Sequence, residues 1–202
     1  MKILGIAGSN RVGGSSYNLL RTVLEGQSGI EGQVIQVAEV SIRPCELCFE
    51  RCADSPFECV ILDDLSVLLD AMRSADGLIV ACPFYFYVPS KFQALLERLS
   101  CLDYSTKEKH GEGFSPFSGK PCALICVSAS GSTFNAFQML HHLQEFAFML
   151  KMRVVASKHW PYIGLSAKSG GLGSDAVLRE ADTIERAKEL LEQLVQEVKA
   201  AG

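Results

Sequence analysis

A short apolar run, Ile3 to Ala7, breaks into Gly8-Ser9-Asn10-Arg11-Val12-Gly13-Gly14-Ser15-Ser16 and resumes as Leu19, Leu20, Val23 and Leu24 at helical spacing. The run is long enough for a buried strand and too short for a helix. Strand, glycine loop, helix is the geometry that aims unpaired backbone N–H groups and a helix N-terminus at an anion. Ser9, Ser15 and Ser16 add hydroxyls, Arg11 adds a cation and Gly14 completes the loop, a set suited to a phosphate dianion. The Gly-Lys-Ser/Thr ending of a P-loop is absent, and so is Gly-x-Gly-x-x-Gly. What remains fits a terminal monophosphate, or an ordinary strand-to-helix turn with serine caps.

Further apolar runs alternate with helical patterns. Val34 to Val40 roughly alternates apolar and polar residues and reads as a second strand. Gly77 to Cys82 is continuously apolar, the mark of a strand covered on both faces of a parallel sheet. Pro121 to Val127 and Arg153 to Ala156 supply the fourth and fifth. Helices are expected over Asn18 to Gly26, from a cap at Asp63 or Asp64 through Met72, and over Lys91 to Leu99, Thr133 to Leu150 and Asp175 to Lys199. The apolar positions of the Thr133 to Leu150 helix include Phe134, Phe137, Leu140, Phe146 and Leu150. This alternation predicts an α/β fold, a doubly wound five-stranded parallel sheet, as one domain over residues 1–202. Ser100 to Lys120 reads as a long connection, and Ile163 to Asp175 as a mobile Gly/Ser segment able to close over a substrate.

In such a sheet the loops after strands one, three and four lie at one edge. The loop after the third strand, Pro83-Phe84-Tyr85-Phe86-Tyr87, offers four consecutive aromatics that can flank a planar ring and exclude water. The loop after the fourth is Ser128-Ala129-Ser130-Gly131. One phosphate loop, one aromatic loop and one Gly/Ser loop are explained together by a flavin mononucleotide (FMN) site.

Four of the eight cysteines, Cys45, Cys48, Cys52 and Cys59, fall in one stretch beside Pro44. Four converging thiolates would satisfy a [4Fe–4S] cluster or tetrahedral zinc, and the loop can equally hold nothing. Cys82, Cys101, Cys122 and Cys126 are scattered in apolar surroundings and read as small core residues. His141 and His142 lack partners at metal spacing and read as solvated.

The net charge of −4 argues against broad binding to nucleic acid. No stretch is long and apolar enough for a membrane span, and the first residues make a poor signal peptide, so a cytoplasmic location is expected. There the cysteines would be thiols or metal ligands rather than structural disulfides.

The segment Gly8 to Ser16 is similar to the Gly-Ser-Pro-Arg-x-x-Gly-Asn-Thr phosphate loop of the flavodoxin-like NADPH-dependent FMN reductases, with Asn10 for Pro and Ser15 and Ser16 for Asn and Thr. Ala75-Asp76-Gly77 through Cys82-Pro83-Phe84-Tyr85-Phe86 resembles the family's Ala-Asp-Gly-x-x-x-x-Ser-Pro-x-Tyr-x, with Cys82 for Ser, and Lys91 and Arg98 fit its next helix. Pro44-Cys45-x-x-Cys48 through Cys59-Val60-Ile61-Leu62-Asp63-Asp64 resembles the cysteine motif of the iron–sulfur flavoprotein branch. That branch usually places two residues between its second and third cysteines; here Phe49, Glu50 and Arg51 make three.

The resemblance implies a flavodoxin-like strand order 2-1-3-4-5 and an FMN-dependent oxidoreductase or electron-transfer protein. FMN would be held by Ser9, Arg11, Gly14, Ser15, Ser16, Pro83 to Tyr87 and Ser128 to Gly131. It also implies NAD(P)H or a ferredoxin-type protein as donor, a small molecule or protein as acceptor, a homodimer or homotetramer, and a [4Fe–4S] cluster on Cys45, Cys48, Cys52 and Cys59. The alternative is a zinc-stabilised or metal-free binding module of the same fold without redox turnover.

Overall fold

The computed structural model describes residues 1–111, 115–171 and 173–201, with the Thr133 side chain left out. In chain order the elements are β1 (Lys2–Ala7), α1 (Ser15–Leu24), β2 (Glu31–Gln36), α2 (Leu65–Ser74), β3 (Gly77–Pro83), α3 (Ser90–His110), β4 (Pro121–Ser128), α4 (Thr133–Met149), β5 (Arg153–Val154), β6 (Leu165–Lys168) and α5 (Ala181–Ala201). A short 3-10 turn, Ala176–Arg179, precedes α5.

All described strand pairings within the sheet are parallel, in the order β2-β1-β3-β4-β5, with β6 also on β4. The predicted order is therefore present. β3 and β4 are buried along their whole length, as a strand covered on both faces must be. One face packs against α2, α3 and α4 around Leu68, Phe92, Leu95 and Leu140. The other packs against α1 and α5 around Leu19, Leu20, Leu190 and Leu194.

Four expectations about elements need correction. α1 begins at Ser15 and not at Asn18, so both loop serines belong to its first turn. β2 occupies Glu31–Gln36, earlier than Val34 to Val40, because Lys2 to Ala7 fix its register residue by residue. α3 continues through Cys101 to His110, since Leu99 and Leu102 stay on the buried face and Lys107 pairs with Asp103 one turn below. The expected 100–120 connection is thereby shortened, and its residues Glu112, Gly113 and Phe114 lie outside the described ones. The fifth strand is split: β5 pairs with Pro121 and Cys122, and β6 with Ile125 to Ser128. The 163–175 segment thus contains a sheet strand rather than a lid, with Leu172 outside the described residues. On α4, Phe134 and Phe137 face outward, 86% and 49% exposed.

Candidate functional site

At the C-terminal edge of the sheet, the ends of β1, β3, β4 and β6 enclose a cavity of about 190 Å³. Ser9, Arg11, Gly14, Ser15 and Ser16 line one wall, Pro83, Phe84 and Tyr85 another, and Ser128 and Ala129 a third. Ten of the fourteen residues expected from sequence thus meet in one place. Phe86, Tyr87, Ser130 and Gly131 are not in its wall. Ser169 and Gly171, which follow β6, are there instead.

The phosphate loop is held from three sides. The Ser9 hydroxyl accepts from the Arg11 amide at 3.1 Å. The Gly13 amide donates to Gln36 Oε1 at 2.6 Å, fixing the loop to the end of β2. Asn10 bridges to the start of α3, donating to Ser90 Oγ at 3.1 Å and accepting from the Lys91 amide at 3.2 Å. Asn18 donates to the Gly13 carbonyl at 3.1 Å, the Ser174 carbonyl at 3.0 Å and Asp175 Oδ1 at 2.9 Å. That last residue escapes a sequence reading because it looks like one more polar helix position, yet it fastens the segment after β6 onto the loop.

Two observations test the loop against a phosphate. The Ser16 hydroxyl is buried and has no hydrogen-bond partner, a costly state that an incoming acceptor would relieve. α1 opens on Gly14 without a side-chain cap, and a Cβ at Gly14 would stand 3.0 Å from Ser9 Oγ and 3.2 Å from the Arg11 carbonyl. An uncapped helix start beside a cradle that even a methyl would crowd is suited to a bound anion. The residues fit the phosphate of FMN.

The aromatic loop closes as a tight turn in which Tyr85 bridges Tyr87 around Phe86, whose φ is 64°. A bulky residue in the left-handed region is strained, and such strain gathers at ligand sites. Phe84 and Phe86 stack obliquely with ring centres 5.5 Å apart. Tyr85, Phe86 and Tyr87 are 52, 77 and 81% exposed, leaving flat aromatic surface beside the cavity mouth. Across the sheet edge, Ser128 Oγ accepts from the Gly131 amide at 3.0 Å, and Ser166 donates to the Gly131 carbonyl at 3.1 Å. Ser130 and Gly131 therefore shape the third loop from behind the cavity wall.

The cysteine loop lies before α2. Arg98, 1% exposed, reaches it from α3 and donates to Asp63 Oδ2 at 2.8 Å, to Asp63 Oδ1 at 3.3 Å, to the Arg43 carbonyl at 2.9 Å and to Cys59 Sγ at 3.1 Å. Asp63 also accepts from the Leu65 amide at 3.1 Å, so it serves the start of α2 as well as Arg98. Burial tends to raise the Asp63 pKa, but hydrogen bonds from Arg98 and from the Arg43 and Leu65 amides bring it below the ordinary carboxylate value. The Cys52 thiol is buried, 3.8 Å from the Cys101 carbonyl, and burial pushes its pKa up. Among the described residues, no three His, Cys, Asp or Glu side chains are grouped so as to hold a metal ion. Cys52 lies within electrostatic reach of Cys45, Cys48 and Cys59, and the Arg98 hydrogen bond to Cys59 Sγ is of the kind that ligating thiolates accept.

The remaining cysteines divide. Cys82, Cys122 and Cys126 are core residues as expected, and burial drives their thiol pKa values upward, to about 12 for Cys122 and Cys126. Cys101 is half-buried instead and faces the cysteine loop. With Cys45, Leu47, Tyr87 and His142 it lines a groove of about 950 Å³ between α3 and α4. His141 and His142 are exposed, each 3.6 Å from Glu145.

The comparison with known proteins agrees with this geometry. Residues 1–162 match the profile of the NADPH-dependent FMN reductases. The chain belongs to that family. The chain is 36% identical over 121 residues to an iron-sulfur flavoprotein of Methanosarcina thermophila, a match covering 57% of this chain and 62% of that one. It is 28% identical over 176 residues to an iron-sulfur flavoprotein of Methanocaldococcus jannaschii, covering 86% of this chain and 82% of that one. Among solved structures, RosB superposes with a TM-score of 0.69 at 16% identity, covering 99% of this chain and 79% of that one, which establishes the fold alone. No helix among the described residues is long and apolar enough to cross a membrane.

Proposed function

We propose that this FMN reductase family member uses NAD(P)H or a ferredoxin-type protein to reduce FMN and passes the electrons to a small-molecule or protein acceptor in the cytoplasm. The unpartnered Ser16 hydroxyl at the uncapped start of α1 carries the reading, because it completes a phosphate cradle and serves no internal purpose. Ser9, Arg11, Ser15 and Ser16 would bind the phosphate, and the tight fit at Gly14 keeps the backbone close to it. The cavity is smaller than the ~300–1,000 Å³ that encloses a whole drug-sized ligand. It suits the phosphate end, leaving a planar ring to the aromatic surface of Tyr85 to Tyr87 and the Ser128 to Gly131 loop. FMN supplies the redox chemistry when bound, so no protein nucleophile is required. The chain's residues bind, orient and shield.

A second reading adds a [4Fe–4S] cluster on Cys45, Cys48, Cys52 and Cys59, supported by the names of the relatives from both archaea. The Arg98 hydrogen bond to Cys59 Sγ is compatible with it, because ligating thiolates accept such bonds, and Cys52 has Cys45, Cys48 and Cys59 as its charged neighbours. Self-association is part of the proposal: α4 carries Phe134, Phe137 and Phe148 outward among His141, His142 and Glu145, and exposed aromatics of this size mark surfaces that meet a partner. Aerobic and oxygen-free preparations should be assayed for bound FMN, iron and acid-labile sulfide, for NAD(P)H oxidation with a quinone acceptor, and for mass by light scattering. FMN with turnover supports the oxidoreductase. Near-stoichiometric iron and sulfide support the cluster. FMN bound without turnover, with either donor class, favours the binding module.

A further inference from the structure

Gly14 lines the phosphate cavity, and Gly13 beside it does not. The φ of Gly13 is 63°, and open space surrounds the position of a would-be Cβ, so conformation and not crowding calls for glycine there. Adjacent glycines let the peptides around them rotate at little cost, and a rotated peptide in an anion-binding loop replaces an N–H with a carbonyl. Here side chains hold both polar groups of Gly13. Its amide donates to Gln36 Oε1 at 2.6 Å, and its carbonyl accepts from Asn18 at 3.1 Å. Gln36 is itself oriented. Its Nε2 donates to Glu39 Oε2 at 2.5 Å, and because an ionised carboxylate only accepts, the carboxamide oxygen is left facing Gly13.

A turn after β2 supplies that carboxylate. The Glu39 amide donates to the Gln36 carbonyl at 3.0 Å, which folds Glu39 back beside the Gln36 side chain. The Val37 amide donates to the Ala7 carbonyl at 3.0 Å, anchoring the turn to the end of β1 just before the phosphate loop. Lys91 Nζ donates to the Ala38 carbonyl at 2.6 Å, and the Lys91 amide donates to Asn10, so one residue of α3 ties both turn and loop. Gln36 is buried, Glu39 is exposed, and neither lines the cavity. We propose that Gln36 and Glu39 are positioning residues for the phosphate of FMN. Glu39 fixes the Gln36 carboxamide, and Gln36 fixes the Gly13 turn that leaves the first amides of α1 open to the anion. This rests on the FMN reading above and extends it to residues outside the cavity. The pair acts on flavins that carry a phosphate and leaves binding of the bare ring alone.

The flavin-free chain is titrated with FMN and with riboflavin in the wild type, Gln36→Met and Glu39→Gln, and the Gly13 amide is followed by proton–nitrogen NMR before flavin is added. Gln36→Met keeps the volume and removes the acceptor. Glu39→Gln keeps the shape at an exposed position, so it serves even if Gln36→Met does not fold. FMN affinity should fall by about tenfold in Gln36→Met and about threefold in Glu39→Gln, with riboflavin affinity unchanged. The Gly13 amide proton should move upfield in both as its short bond is lost or weakened. Combining Gln36→Glu with Glu39→Gln restores an acceptor facing Gly13 and a donor beside it, and should return that proton to its wild-type position. A wild type that binds the two flavins equally removes the phosphate reading and this proposal with it. A wild type that prefers FMN, with the preference intact in both variants or the Gly13 amide unmoved, overturns this proposal alone.

Discussion

Arg98 Nη1 lies 2.8 Å from Asp63 Oδ2, and the two side chains are 1% and 4% exposed. This pair joins α3 to the loop that carries the clustered cysteines. Removing one partner of a buried ion pair costs roughly 3–5 kcal/mol, because the other charge is left without compensation. Arg98→Met should therefore lower unfolding stability by about that much, with the midpoint in urea as the measurement. Arg98→Lys should recover only part, since lysine cannot reach Asp63, Arg43 and Cys59 together with a planar fork.

The same pair sets an acid limit. The folded-state pKa of Asp63 lies below its ordinary value of 3.8, so the stability it contributes is full above that value and is lost as pH falls through the folded one. Asp63→Asn should be less stable than the wild type at neutral pH. The difference should shrink below about pH 4, as protonation removes the wild type's advantage. Urea unfolding at a series of pH values reads this directly.

Lys120 supports the opposite end of α2. Its ammonium donates to the carbonyls of Met72, Arg73 and Ala75 at 2.6, 3.0 and 2.5 Å, satisfying acceptors that a helix end leaves open. Lys120→Met should cost about 1–3 kcal/mol by orphaning them, measured by thermal or urea unfolding. FMN affinity should be unchanged, because none of these groups lines the phosphate cavity.

The Gly14 position separates phosphate binding from folding. Gly14→Ala brings a methyl to 3.0 Å from Ser9 Oγ, which can move by a few tenths of an ångström, and to 3.2 Å from the Arg11 carbonyl, which is part of the loop backbone. Its φ of −68° is open to alanine, so the conformation itself carries no penalty. FMN affinity should fall by about tenfold or more, a loss of at least ~1.4 kcal/mol, while the urea midpoint of the flavin-free protein moves little. Fluorescence titration and urea unfolding of the same variant distinguish the two effects.

Much of this was legible because it rests on local chemistry. The apolar runs at Ile3 to Ala7 and Gly77 to Cys82 announce buried strands, and their loops converge because parallel topology puts strand ends on one edge. What escaped depends on tertiary partners. Ser169 and Gly171 reach the cavity because β6 takes over the edge of β4, a pairing set in space and not by a short sequence like Leu165 to Lys168. Cys101 looks like a core thiol until the length of α3 places it beside the cysteine loop. Phe134 and Phe137 follow helical spacing, yet spacing cannot tell a face that meets the core from one left for another surface.

In the proposed function, the Ser9–Ser16 loop holds the phosphate of FMN. The most direct measurement is titration of flavin-free protein with FMN and with riboflavin, followed by quenching of flavin fluorescence, in the wild type and in Ser16→Ala. The wild type should bind FMN at least about a hundredfold more tightly than riboflavin, which lacks the phosphate, corresponding to ~2.7 kcal/mol or more. Ser16→Ala should narrow that gap by about tenfold through lost FMN affinity, with riboflavin binding unmoved. Equal affinity for the two flavins, or a Ser16→Ala variant with the wild-type preference, would contradict the claim.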